Sequence, residues 1–591
     1  MPRHYLPKIN KYVTFASSLI VAFSAGLSYL FGVWSPALKD AYNLSQGDLQ
    51  IIAAVGNLGG YSSFISGLVY DSLEHRHHVG PRLSLVMGCL TTFLGFFGLW
   101  AAITKRLIAT TWQLAALAAL AGNGGTWFDT CCLATNLRNF PAQRGPVVGI
   151  IKAGVGLSAS IYSAAYLGVF QPRIDHFLLF LAIAPATIGL LAVPLMNYVP
   201  YVQRSELEGG YRVFSPEGRQ LLALQTVGTL ALYLMATALA TAFGVTSKEA
   251  RVLMALGVLL LLCPFLLVPV GSGGLFAKRA SVMIRIPTDL SFEENNSIAG
   301  EDGDDEEEQE SSLRQSLLES EGVQPMEFSG TNQPRTGAPE LENRSNDLSS
   351  PFSLTPIMPS YSVSQCFRLP EFYMLAFIAG IGVGCGLAFL NNIASLVSSL
   401  SGPPEARSVL ISLFGVASCT GRLLFGIIPE KALHLYGVPR PAFLAGAGFL
   451  MSTTLFGISF AKVPMLYALA VCAGLAFGAH WSLLPSLSSE IFGLDSFASI
   501  YTILQLAPAA AGYMLGAGLV SSEYEAAGRK HGDPKGTCIG PDCFRVAFLV
   551  MAVLAACGGC VSMWLMVRTL KLYKAEAAAL RTFDSEPAEH Y

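Results

Sequence analysis

The sequence predicts an all-α polytopic membrane protein, in which two six-helix bundles flank two extra central helices. Three observations predict it. Hydrophobic residues make up 52% of the chain and charged ones only 13%, where a soluble chain carries about 25% charged. Apolar runs of membrane-spanning length recur along the rows. A polar loop pattern also appears twice, once in each half.

A bilayer core needs about 20 helical residues per crossing, because backbone polar groups in lipid must pair within their own segment. Runs of that kind lie near 12–34, 49–70, 82–103, 111–134, 146–170 and 177–199. Two more follow near 220–244 and 251–271, and six near 370–398, 406–428, 441–460, 464–488, 497–519 and 543–567. The count is 14, with 12 as the alternative. The expected organisation is a first bundle over 1–200, two additional helices over 201–271 and a polar segment over 272–366. A second bundle follows over 367–568 and a tail over 569–591. Residues 1–11 are basic and polar and the first run is long enough to stay in the membrane, so no cleaved leader is expected.

Placing the N-terminus in the cytosol puts 23 of the 37 Lys and Arg in cytosolic segments and 11 on the other side, with Lys152, Arg422 and Arg545 in or at spans. That is the positive-inside bias, and it puts both termini in the cytosol. The membrane, plasma or internal, is left open. Residues 301–310 read EDGDDEEEQE and the surrounding sequence is rich in Ser, Pro and Asn, so 272–366 is expected to be a disordered cytosolic linker.

The repeated loop carries the architecture. G67-L-V-Y-D71-S-L-E-H-R76-H-H-V-G-P-R82 follows the second span, and G426-I-I-P-E430-K-A-L-H-L-Y-G-V-P-R440 follows the second span of the last six. A glycine, an acid four residues on, a histidine and a closing Pro-Arg recur. Parallel repeats of this kind place a site between the halves, near the bilayer midplane. Gly67 and Gly426 are expected to permit close helix approach. Asp71, with Glu430 as its recurrence, is expected to hold a gate by facing a helix N-terminus or a basic group. Arg76 supplies charge in the first loop, and Arg422, directly after Gly421, is expected to hold the cytosolic side of the second-half region rather than bind substrate. The other reading is that Asp71 ends a helix in water.

The first of these loops resembles the signature of the major facilitator superfamily, Gly-x-x-x-Asp-basic-x-Gly-basic-basic, with Ser72 in place of the first basic residue. NFPAQRGPVVGIIKAGVGLSASIY at 139–162 resembles the nodulin-like family within that superfamily. So do GLAFLNN at 386–392, GAHWSLLPSLSSEIFGL at 478–494 and CFRVAFLV at 543–550. The resemblance implies a facilitator fold with alternating access and names no solute.

Ionisable groups inside spans face a cavity, a partner or a pathway. Lys152 lies six residues into the fifth span and Asp129 five residues before the end of the fourth, at similar depth. They make either a structural ion pair or a cation that faces an anionic solute. His480 is either a proton carrier near neutral pH or a hydrogen-bond donor between helices. Asn391, Asn392, Asn123 and Trp127 are candidate cavity-lining groups. Cys538 and Cys543 flank a four-residue loop outside the cytosol, where they can form a disulfide. The sequence holds no nucleotide-binding lysine motif, hydrolase triad or metal cluster. The expectation is therefore a non-enzymatic transporter of a small polar or anionic solute, with lipid and a coupling ion such as a proton as partners. No cofactor, metal or nucleic acid is expected. The alternative is a non-transporting sensor or scaffold that signals through the acidic loop.

Overall fold

A computed structural model describes residues 11–44, 46–62, 64–73, 79–140, 143–198, 201–203, 216–242, 247–270, 283–285, 360–403, 405–530, 538–540 and 542–585. Arg76 and the acidic run at 301–310 lie outside the described residues. Thirteen helices among the described residues are long and apolar enough to cross a membrane. A further helix, Thr111–Asn139, has the length for a crossing at 29 residues but carries Gln113, Asn123, Asp129, Asn136 and Arg138. Its polarity is tolerable because most of its second half is buried among other helices rather than turned to lipid. Counting it gives fourteen.

In chain order, span 1 is Lys11–Tyr42, span 2 is Ile51–Ser72, span 3 is Val79–Ile103 and span 4 is Thr111–Asn139. Span 5 is Arg144–Phe170 and span 6 is Ile174–Leu195; the extra pair, spans 7 and 8, are Gly218–Thr241 and Lys248–Leu267. Spans 9 to 14 are Pro370–Ser399, Val409–Leu433, Arg440–Ile458, Val463–Phe492, Phe497–Arg529 and Asp542–Lys574. Span 14 belongs to a helix that runs on to Ser585, through most of what the sequence reads as tail.

Several spans are not continuous α-helices. Span 1 breaks at residues 23–26, between the helix Lys11–Ala22 and a 3₁₀ turn at Leu27–Leu30. Span 13 is interrupted at Gln505, between Phe497–Leu504 and Leu506–Tyr513, where Pro508 has no N–H to offer the Leu504 carbonyl. Spans 5 and 13 hold the same place in their halves, and each carries a π-helical stretch, Tyr166–Phe170 and Met514–Val520. Tyr201–Gln203 pairs antiparallel with Met283–Arg285, and Tyr361 N–H donates to the Phe492 carbonyl at 3.0 Å.

The halves meet along two seams. In one, span 2 packs on the start of span 13; in the other, span 5 packs on span 10. Gly426 faces Gly145 and Gly149 there, and a Cβ at Gly426 would lie 2.7 Å from the Gly145 carbonyl oxygen and from the Gly149 Cα. The backbones touch because neither helix has a side chain at the crossing. Span 7 packs against spans 5 and 10, so the extra pair lies on this seam. Phe265 of span 8 reaches Phe23 at the break in span 1, with ring centroids 5.6 Å apart.

Filling the crossing tests this packing. Gly426→Ala is expected to lower stability by about 1–3 kcal/mol, read as a fall in the thermal unfolding midpoint in detergent. Gly446→Ala, where nothing lies within 4 Å, is expected to leave that midpoint unchanged or raise it. Equal midpoints for the two variants would contradict the contact.

Candidate functional site

The repeated loops form matching latches at one end of the bundle. Asp71, one turn after Gly67, accepts a hydrogen bond from the Ser499 backbone N–H at 2.7 Å, in the first turn of span 13. Arg138 approaches the other Asp71 oxygen at 3.7 Å and donates to the Leu494 carbonyl at 3.0 Å. In the second half Glu430, one turn after Gly426, accepts from the Gly145 backbone N–H at 3.3 Å, in the first turn of span 5. Its basic partner is Arg440, which also pairs with the buried Glu490. Tyr573 donates to Glu490 at 2.7 Å. Each acid thus meets the partial positive end of a helix in the opposite half, and a guanidinium beside it. The sequence offered Arg76 as the basic partner; Arg138 supplies the guanidinium for Asp71, and Arg82 instead donates to Asn197 at 2.7 Å.

About two helical turns in from Gly145, roughly 10 Å at 1.5 Å per residue, lies Lys152. Its ammonium donates to both oxygens of Asp129, at 2.9 and 2.7 Å. The Asp129 carboxylate also accepts from the Tyr501 hydroxyl at 3.2 Å and the Gln505 amide at 3.3 Å, both from span 13. Gln505 lies six residues after Ser499 and Lys152 seven after Gly145, so the two hold similar depths in the matching spans. The Lys152 ammonium also lies 5.1 Å from the ring centroids of Trp481 and Tyr501. One carboxylate therefore ties spans 4 and 5 to span 13, across the line where the halves meet.

Arg422 is placed differently from the sequence expectation. It lies one turn before Gly426, on the same face of span 10, so the glycine crossing carries it along span 5 toward the interior rather than into the latch. Its guanidinium donates to the Lys152 backbone carbonyl at 2.7 Å, and a Cβ on Gly156 would collide with it. Arg422 is 2% exposed, its Nε has no hydrogen-bond partner, and no acidic side chain pairs with it among the described residues.

These groups line a cleft between the halves that holds about 530 Å³ of non-atom space, including the part open to the outside. Asp129, Lys152 and Arg422 are its charged lining, and Tyr29, Asn57, Trp481 and Gln505 add polar and aromatic surface. Residues around the break in span 1, Ala25, Ser28 and Tyr29, form one wall.

Five candidates stand elsewhere. Asn123 donates to the Gly59 carbonyl at 3.0 Å and accepts from the Trp127 indole at 2.8 Å, so these two occupy each other beside span 2. Asn392 returns its amide to the Ala388 carbonyl of its own helix at 2.8 Å, and Asn391 is exposed, away from the cleft lining. His480 is buried against Gly382, with its Nδ1 2.7 Å from the Ala476 carbonyl. Asn392 and His480 turn back to carbonyls one turn earlier on their own helices, as polar side chains on helices do. Sequence reading missed Tyr501 and Gln505; the signal for Gln505 was a lone amide in the apolar run YTILQLAPAA. Cys538 and Cys543 are joined in a disulfide. Between them Gly540 N–H donates to the Ser399 carbonyl at 2.9 Å, at the end of span 9 far from the latches.

Comparison with known proteins agrees with this architecture. Residues 11–270 match the Nodulin-like family, and residues 356–575 match the NFD4 C-terminal domain family. Protein NUCLEAR FUSION DEFECTIVE 4 of Arabidopsis thaliana is 23% identical over 589 residues, covering 97% of this chain and 92% of that protein. The probable transporter mch1 of Neurospora crassa is 28% identical over 242 residues, 34% of this chain and 38% of its own length. Among solved structures, the major facilitator superfamily proton:xylose symporter XylE superposes with a TM-score of 0.52 at 11% identity, over 96% of this chain and 98% of that one. Two matched domains and a shared fold give one conclusion: the chain carries a Nodulin-like domain over 11–270 and an NFD4 C-terminal domain over 356–575, on a fold like that of the major facilitator symporter XylE.

Proposed function

We propose that the protein carries a small organic anion across its membrane by alternating access at the cleft between its halves. One observation carries the reading: the cleft holds two buried cations against one carboxylate, and the carboxylate is already committed to Lys152. A buried guanidinium without an anionic partner is costly, so it is retained where a ligand completes it. Its planar fork suits a carboxylate or a phosphate. The family's fold and the relatives named as transporters support transport as the activity.

Gating follows from the latches. Asp71 and Glu430 hold their end of the bundle shut, and each breaks a helix-end contact when the halves rock apart. The basic residues at that end, Arg138, Arg144 and Arg440, support its cytosolic placement, and with it cytosolic termini. The disulfide then lies on the opposite side, where oxidising conditions would favour it.

Uptake by purified protein in vesicles tests the reading, with a panel of labelled anions, sugars and cations. Anions are expected to enter and neutral sugars are not; the reverse would overturn it. Asp129→Asn is expected to cost about 3–5 kcal/mol of stability by stranding the Lys152 charge, and adding Lys152→Met is expected to restore most of it. The double variant should then fold and lose anion uptake; retained uptake would remove the pair from the mechanism. Replacing Asp71 and Glu430 together with alanine is expected to make a cysteine introduced at Ser489 react with an impermeant maleimide at least about 10-fold faster. Unchanged labelling would contradict the latch assignment.

A further inference from the structure

The charge of the cleft decides how it can move. Lys152 and Asp129 cancel through their two short hydrogen bonds, which leaves Arg422 as one uncompensated positive charge. Its other contacts are neutral: the Lys152 carbonyl and the Phe477 ring, 5.9 Å from the guanidinium carbon to the centroid. To pass from one open state to the other, a carrier must close both ends over its site. Water leaves that site, and the effective dielectric falls around whatever charge remains. An empty cleft would cross that state at +1, a cleft with one monoanion at zero, and a cleft with a dianion at −1.

We infer that the protein is an obligate exchanger of small monoanions, whose cleft reorients only when a bound anion neutralises Arg422. The inference rests on the anion reading above and adds its mode and its charge selectivity. A proton does not substitute for the anion. Placed on Asp129 it would raise the empty cleft to +2, and it would remove an acceptor that Lys152, Tyr501 and Gln505 share. Tyr501 and Gln505 belong to the half that carries Arg422, so neutralisation at Arg422 and the tie at Asp129 join the same two halves, at different seams.

Full-length protein in vesicles, with the membrane potential clamped at zero, supplies the test. Entry of labelled lactate, nitrate, succinate and sulfate is followed into vesicles that hold either the same unlabelled anion or buffer with an impermeant counter-ion. At least one monoanion is expected to enter preloaded vesicles at least about 10-fold faster than empty ones, and faster than either divalent species. Equal rates into preloaded and empty vesicles would overturn the exchange inference and leave the anion reading standing. So would entry into empty vesicles driven by an imposed pH gradient. No uptake of any anion in either mode would overturn both.

A second measurement needs no transport. A cysteine placed at Ser28, on the cleft wall, is expected to react with impermeant reagent from one side only in the anion-free protein. With Arg422→Gln, which brings the empty cleft to zero charge, labelling is expected from both sides. One-sided labelling of that folded variant would contradict the role given to Arg422.

Discussion

Inside a bilayer every charge must find its partner within the protein, and here one carboxylate supplies most of the partnering. Asp129 receives four hydrogen bonds from three side chains, two of which come from the opposite half. The position of Lys152, the orientation of span 13 around Gln505 and the width of the cleft follow from that arrangement. With Asp129 fully occupied, Arg422 is left over. The surplus guanidinium gives the cleft its character.

The two halves are alike where they gate and unlike where they would bind. At the latches the correspondence is close: glycine, acid one turn on, helix N-terminus in the other half, guanidinium alongside. In the cleft the counterparts diverge, with Lys152 in one half and Gln505 in the other. Two matching latches let both halves release that one end by the same motion, whereas a single asymmetric charge set gives a ligand one orientation. The extra pair, spans 7 and 8, adds a further asymmetry, since it rests on the span 5–span 10 seam.

Much of this was legible in the sequence because lipid leaves so few options. Span lengths, the repeated loop and the pairing of Lys152 with Asp129 follow from hydropathy, spacing and depth. What the sequence does not show is which face each residue takes. Asn391, Asn392, Asn123, Trp127 and His480 sit in apolar runs as Asp129 does, but depth along a helix does not say which side a residue faces. Short polar groups can also satisfy themselves on the preceding turn, as Asn392 does. Arg422, directly after Gly421, reads in sequence as part of the second-half gate region, yet its place one helical turn before Gly426 puts it in the cleft. The break in span 1 has no proline to announce it; it follows from tertiary packing, with Gly26 pressed against the Val155 carbonyl and Ser158 of span 5.

The central claim is that a bound anion completes Arg422 and leaves the Lys152–Asp129 pair intact. An experimental structure of the protein saturated with the anion it moves fastest tests that claim most directly. The account predicts density for the anion within hydrogen-bond distance of the Arg422 guanidinium, with the Lys152 ammonium still on Asp129. An anion bound away from Arg422, or a lysine drawn off Asp129 to meet it, would contradict the account.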